Sequence, residues 1–118
     1  MKKLKVYSAI IVSTPCPFFR YSLESIKGQV DGVVIIVTKP FNSNKENIQS
    51  VLDIITKFKM GFNGNVIVVT TNVKTLHEAR QLYLDNMPDD VDFIFQVDSD
   101  EVYDFCSDDY IKNLIIVK

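Results

Sequence analysis

The sequence predicts a single α/β domain over residues 1–118: a three-layer α/β/α sandwich around a mainly parallel sheet. Three observations carry this. Four strand-like runs alternate with three helix-like ones, the pattern of strands joined by crossover helices. The run Val33-Val34-Ile35-Ile36-Val37 is apolar without alternation, as a strand covered on both faces must be. Capping-box spacings stand where two of the helices should open.

In order, Val6 to Val12 is the first strand. Phe18 to Lys27 reads as a helix with Phe18, Tyr21, Leu23 and Ile26 as its apolar positions and Gly28 as its stop. Val33 to Val37 is the second strand. Ser43-Asn44-Lys45-Glu46 has the capping-box spacing, and Ile48, Val51, Leu52, Ile55 and Phe58 then share one helical face. Gly61 ends that helix and Asn63-Gly64 turns the chain into a third strand, Val66 to Val69. Thr75-Leu76-His77-Glu78 repeats the capping box and opens a third helix through Leu84. Val91 to Val97 is the fourth strand. Ser107-Asp108-Asp109 is a candidate cap for a short helix, and Leu114 to Val117 reads as either a last strand or a continuation of that helix. Phe18, Phe19, Phe58, Phe93 and Phe95 are expected in the core. The predicted strand order is 3-2-1-4.

Composition bounds the function. With 47% hydrophobic and 24% charged residues, the chain is of ordinary globular type. The net charge of −2 hides an asymmetry: residues 1–84 carry 11 Lys/Arg against 5 Asp/Glu, whereas residues 85–118 carry 2 against 10. An acidic C-terminal third repels phosphate backbones, so no nucleic-acid surface is expected there, but it suits a cation. Cys16 and Cys106 give no disulfide framework, and no stretch approaches the ~20 apolar residues of a membrane span. The expectation is a cytoplasmic protein with no membrane span. The apolar run after Met1-Lys2-Lys3-Leu4-Lys5 reads as a strand rather than a signal peptide.

The candidate site is Asp98-Ser99-Asp100-Glu101, where the fourth strand should end. Two aspartates one residue apart at a strand terminus can aim oxygens at one hard cation, and that cation can hold the phosphates of a nucleotide. A solvated acidic loop is the competing reading, since short motifs match freely by chance. Position separates the two. With strand order 3-2-1-4 the winding reverses between strands one and four, and ligands of doubly wound folds sit at that reversal. Ser13-Thr14-Pro15 and Asp98-Ser99-Asp100 would then be neighbours.

Three stretches, in this order and spacing, resemble the nucleotide-binding half of a GT-A glycosyltransferase, in the large family that includes many inverting sugar transferases. They are Ala9 to Val37, with Ser22-Leu23-Glu24-Ser25-Ile26 and Gln29-Val30-Asp31-Gly32 inside it; Ala79-Arg80-Gln81-Leu82-Tyr83-Leu84; and Phe93-Ile94-Phe95-Gln96-Val97-Asp98-Ser99-Asp100-Glu101. The resemblance covers most of residues 6–113. It implies a Rossmann-like nucleotide-diphospho-sugar-binding topology, a nucleotide-diphosphate sugar donor and a divalent cation, Mn²⁺ or Mg²⁺. Asp100 would ligate the metal, with Asp98 near the ribose or metal. Thr14, Pro15, Thr38 and Arg80 would complete the nucleotide-binding set. The metal would neutralise charge developing on the diphosphate leaving group.

Two departures from the family pattern limit what carries over. The family commonly has acidic residues after its second strand, where this chain has Thr38-Lys39-Pro40-Phe41-Asn42, so the nucleobase is not assigned. The acceptor-binding half, with the carboxylate that deprotonates the acceptor hydroxyl, has no counterpart, so neither acceptor nor catalytic base is assigned. Donor binding is expected ahead of transfer. A non-catalytic nucleotide-sugar-binding or interaction module on the same fold is the alternative. Cys16-Pro17-Phe18-Phe19 also looks like glutaredoxin with its second cysteine replaced, but neither Pro40 nor Pro88 stands where a thioredoxin-type fold needs its cis-Pro loop. His77, the only histidine, reads as an exposed residue near a helix start. No Gly-rich phosphate loop is present. A homodimer is expected, because the face beyond the fourth strand would otherwise stay uncovered.

Overall fold

β1 (Val6–Val12), β2 (Gly32–Thr38), β3 (Asn65–Thr71) and β4 (Phe93–Asp98) form one four-stranded sheet in the order β3-β2-β1-β4, and every pairing is parallel. The computed structural model describes residues 4–12, 18–38, 45–71, 75–98, 103 and 112, with the backbone only at 45–48. The helices are α1 (Phe19–Ile26), α2 (Lys45–Met60) and α3 (Leu76–Asp85). α1 and α2 pack on one face of the sheet and α3 on the other, which makes the three-layer α/β/α sandwich. The step from β1 through β2 to β3 runs one way and the step to β4 runs back. One handedness for all crossovers then requires the returning helix to lie on the opposite face, as α3 does.

Burial follows the strand pattern. β2 is buried at every position, which explains its unbroken apolar run. Val6, Ile10 and Val12 face α1 and α2 together with Val33, Ile35, Val37 and Val97; Tyr7 and Ala9 face α3 together with Val34 and Ile36. Ile10 and Ile35 are fully buried, and cutting either to alanine would cost about 2–5 kcal/mol. At Gly32 a side chain would run into the Tyr7 ring, whose hydroxyl accepts from Asn65 Nδ2 at 3.3 Å, so a residue without Cβ lets the ring lie flat across to β3.

The helices start and stop where local chemistry dictates. Thr75 is the N-cap of α3 and its hydroxyl accepts from the Glu78 amide at 3.1 Å, as the capping-box spacing predicts. The matching box at Ser43–Glu46 lies outside what is described. α1 buries Phe19, Ser22, Leu23 and Ile26, the i, i+3, i+4, i+7 stripe of a helix on a sheet. Phe18 and Tyr21, expected inside, are 54% and 55% exposed. Phe93, also expected in the core, is 44% exposed on the edge strand β4. Among the described residues no helix is long and apolar enough to cross a membrane. Residues 114–117, with their alternative strand or helix readings, lie outside the described residues.

Candidate functional site

The carboxyl ends of β1 and β4 lie side by side. Ile11 pairs with Asp98 in register, so Asp98 ends β4 one residue below the end of β1, at the reversal of winding. In open α/β sheets that crevice is where ligands bind. Asp98 is exposed. Thr14, Pro15 and Asp100, the other members of the predicted set on these two loops, lie outside the described residues. β1 and β4, the strands that precede these residues in the chain, are adjacent and parallel.

The next two strand ends are closed by hydroxyls. Val12 is the last residue of β1, and its carbonyl accepts from Thr38 Oγ1 at 3.3 Å. Thr38 is itself buried, so its hydroxyl ties the ends of β1 and β2 together. On the α1 side, fully buried Ser22 donates from Oγ to the Asp98 carbonyl at 3.3 Å. Lower on the same strand, fully buried Ser8 donates to the Phe95 carbonyl at 2.8 Å. Two buried serines thus fasten β4 to β1 and α1 at positions three residues apart. A serine inside an apolar stripe carries no periodic signal, so periodicity singles out neither.

Arg80 is placed by α3. α3 packs on β1 and β2, and buried Tyr83 donates its hydroxyl to Gln96 Oε1 of β4 at 3.4 Å. α3 runs against the strand direction, so Arg80 lies about 4.5 Å farther toward the carboxyl end than Tyr83. Asp98 lies about 6.6 Å farther in the same direction than Gln96. Alternation also turns Asp98 and Gln96 to the face that α3 covers, since Val97 faces α1 and α2. Arg80 is exposed, one turn nearer the start of α3 than Tyr83. His77 is exposed one turn earlier, in keeping with its reading as a residue near a helix start.

The described side chains supply one carboxylate here. No group of three or more His, Cys, Asp or Glu that could hold a metal ion occurs among the described residues. With Asp98 and Asp100 as the protein's share, the donor set is oxygen only, which suits a hard cation such as Mg²⁺ or Mn²⁺ and leaves most of its coordination shell to ligand oxygens and water.

Two concavities among the described residues lie away from Asp98. One of about 510 Å³ sits between α1 and α2, where Arg20 and Lys57 are balanced by Glu24 and Asp53. The other, about 620 Å³, opens at the amino end of the sheet beside Lys27, Asp31 and Asn63. The first carries two charges of each sign, while the second sets Glu24 and Asp31 against Lys27 alone. Comparison of the chain with protein-family models and with curated proteins gives no match.

Proposed function

We propose that this chain binds a nucleotide-diphosphate sugar through a divalent cation held by Asp98 and Asp100, and serves a glycosyltransferase of GT-A type. The observation that carries the reading is the pairing of Ile11 with Asp98, which sets the first carboxylate of the motif beside the β1 terminus at the reversal of winding. The motif's resemblance to an Asp-x-Asp strand end adds to that position. On this reading Thr14 and Pro15 line the nucleoside, Thr38 closes the floor between β1 and β2, and Arg80 reaches toward the phosphates from α3. When bound, the ion neutralises the diphosphate as it leaves. The bond that breaks joins the sugar's anomeric carbon to the diphosphate oxygen, the bond that forms joins that carbon to an acceptor hydroxyl oxygen, and the hydroxyl proton passes to a general base as the nucleoside diphosphate leaves. A sequence with only two cysteines accords with a cytoplasmic setting.

Calorimetry with UDP, GDP, ADP and CDP, each with Mn²⁺ or with EDTA, tests this on the wild type, Asp100→Asn and Asp108→Asn. At least one nucleotide should bind the wild type and Asp108→Asn in a metal-dependent way, and Asp100→Asn should lose that binding while keeping its fold. Equal binding in all three proteins, or none in any, would make Asp98-Ser99-Asp100 a surface turn.

A further inference from the structure

We infer that Ser22 is a positioning residue for the metal motif, an inference that rests on the proposed function of Asp98 and Asp100. Ser22 is fully buried, on the face of α1 turned to the sheet, yet it is polar among Phe19, Leu23 and Ile26. A buried hydroxyl in that stripe is costly unless it is hydrogen-bonded. Its acceptor is the carbonyl of Asp98, the last residue of β4 and the first of the motif. The backbone that must aim Asp98 and Asp100 at one ion therefore leaves the sheet from a point fixed by α1.

The same helix begins directly after the loop containing Thr14 and Pro15. Ser22 thus joins the element that follows the nucleoside loop to the strand that carries the metal ligands. A shift of α1 is felt at Asp98 and the reverse. The 3.3 Å separation is longer than the 2.8 Å of the Ser8 bond to Phe95.

Ser8 and Ser25 are the internal controls. The Ser8 bond is deep in the sheet, three residues before the motif, and Ser25 Oγ donates to the Ser22 carbonyl at 2.7 Å within the helix. Both are hydroxyl-to-carbonyl bonds of the same kind, and neither ends at Asp98.

The experiment measures UDP affinity with Mn²⁺ and with EDTA for the wild type, Ser22→Ala, Ser22→Cys, Ser8→Ala and Ser25→Ala. Ser22→Cys keeps the volume with a weak donor and serves if the alanine variant folds poorly. Ser22→Thr, which restores a hydroxyl, is the rescue. The Mn²⁺-to-EDTA affinity ratio should fall about tenfold in Ser22→Ala and Ser22→Cys and recover in Ser22→Thr. The electron paramagnetic resonance spectrum of bound Mn²⁺ should broaden in the first two. Ser8→Ala and Ser25→Ala should lower the melting temperature and leave the ratio alone. A ratio unchanged in the Ser22 variants while the wild type binds would overturn the positioning role only. A wild type that binds none of UDP, GDP, ADP or CDP with Mn²⁺ would overturn the site reading, and the role of Ser22 with it.

Discussion

The two ends of the sheet use aspartate in opposite ways. At the amino end, parallel strands present their first N–H groups outward, and carboxylates meet them. Asp92 Oδ2 accepts from the Lys5 amide at 2.8 Å, Asp31 Oδ2 accepts from the Val6 amide at 2.9 Å, and Lys112 Nζ lies 2.7 Å from Asp31 Oδ1. At the carboxyl end the strands present carbonyls, and hydroxyls meet them: Thr38 on Val12 and Ser22 on Asp98. A carboxylate at that end stands beside backbone acceptors rather than beside the strand amides that Asp31 and Asp92 meet. A cation is its natural complement. The same residue type is thus a structural staple at one end and a candidate ligand at the other. The backbone direction makes the difference.

Stability measurements can break that comparison. The largest effect is expected at Asp31. Asp31→Ala removes an acceptor from a strand amide and the ionic partner of Lys112, whose side chain is only 12% exposed. Hydrogen bonds to charged groups contribute about 1.5–3 kcal/mol, so a loss of about 2 kcal/mol, or roughly 8 °C in melting temperature, is expected. Metal-dependent nucleotide binding should stay within about twofold of wild type. A variant that melts normally but binds poorly would move Asp31 from staple to site.

Asp92→Ala should follow with about 1 kcal/mol, because it removes one amide acceptor without breaking a buried ion pair. Denaturant unfolding of the single variants and the pair measures both. The Lys5 and Val6 amides are neighbours at the start of β1, so the double variant should cost a different amount from the sum of the two. Strict additivity would mean that the two staples do not share the β1 terminus.

Asp98→Asn is the contrast at the other end. Its stability should change by no more than about 0.5 kcal/mol, while Mn²⁺-dependent nucleotide binding is lost. If Asp98→Asn destabilised the protein as much as Asp31→Ala does, Asp98 would be a staple too and the comparison would fail.

How far the sequence foretells these roles varies by element. The strand order was legible because alternating runs allow few topologies, and β2 announced itself by the unbroken apolar run that burial on both faces demands. Thr75 was legible because a capping box is a local device that no distant contact alters. On α1 the expected Phe19, Leu23 and Ile26 are buried, while Phe18 and Tyr21 are exposed. The buried stripe is completed by Ser22, which apolarity does not mark and which reaches Asp98. Phe93 was misjudged because alternation gives the face of a strand and not how well that face is covered, and β4 is an edge. The roles of Asp31 and Asp92 had a signal that went unused: each stands immediately before a strand, next to the first free amides of β1. The position of Asp98 at the β1 terminus was legible from topology, but the cation it is proposed to hold has no signature beyond the motif itself.

The smallest effect is expected at Lys5 and Asp90, which test whether burial, rather than charge pairing, makes the amino end a staple. Lys5 Nζ lies 2.6 Å from Asp90 Oδ2, a shorter contact than the one between Lys112 and Asp31, but this pair is open to water. The hydrogen bond between them raises the Lys5 pKa above its ordinary 10.5 and lowers the Asp90 pKa below its ordinary 3.8. The signs fix the pH window. The Asp90 contribution is complete above 3.8 and disappears as pH falls through its lowered value; the Lys5 contribution is complete below 10.5 and disappears as pH rises through its raised value. Between those limits the pair's effect is constant, so Asp90→Asn should shift the melting temperature by a small, pH-independent amount that salt erases. Asp31→Ala should keep most of its effect in high salt, because its amide bond and its largely buried lysine are shielded from screening. Melting curves at low and high ionic strength for the two variants decide the point. If Asp90→Asn cost as much as Asp31→Ala and resisted salt, the short distance would matter more than burial, and the staples would have to be explained by charge alone.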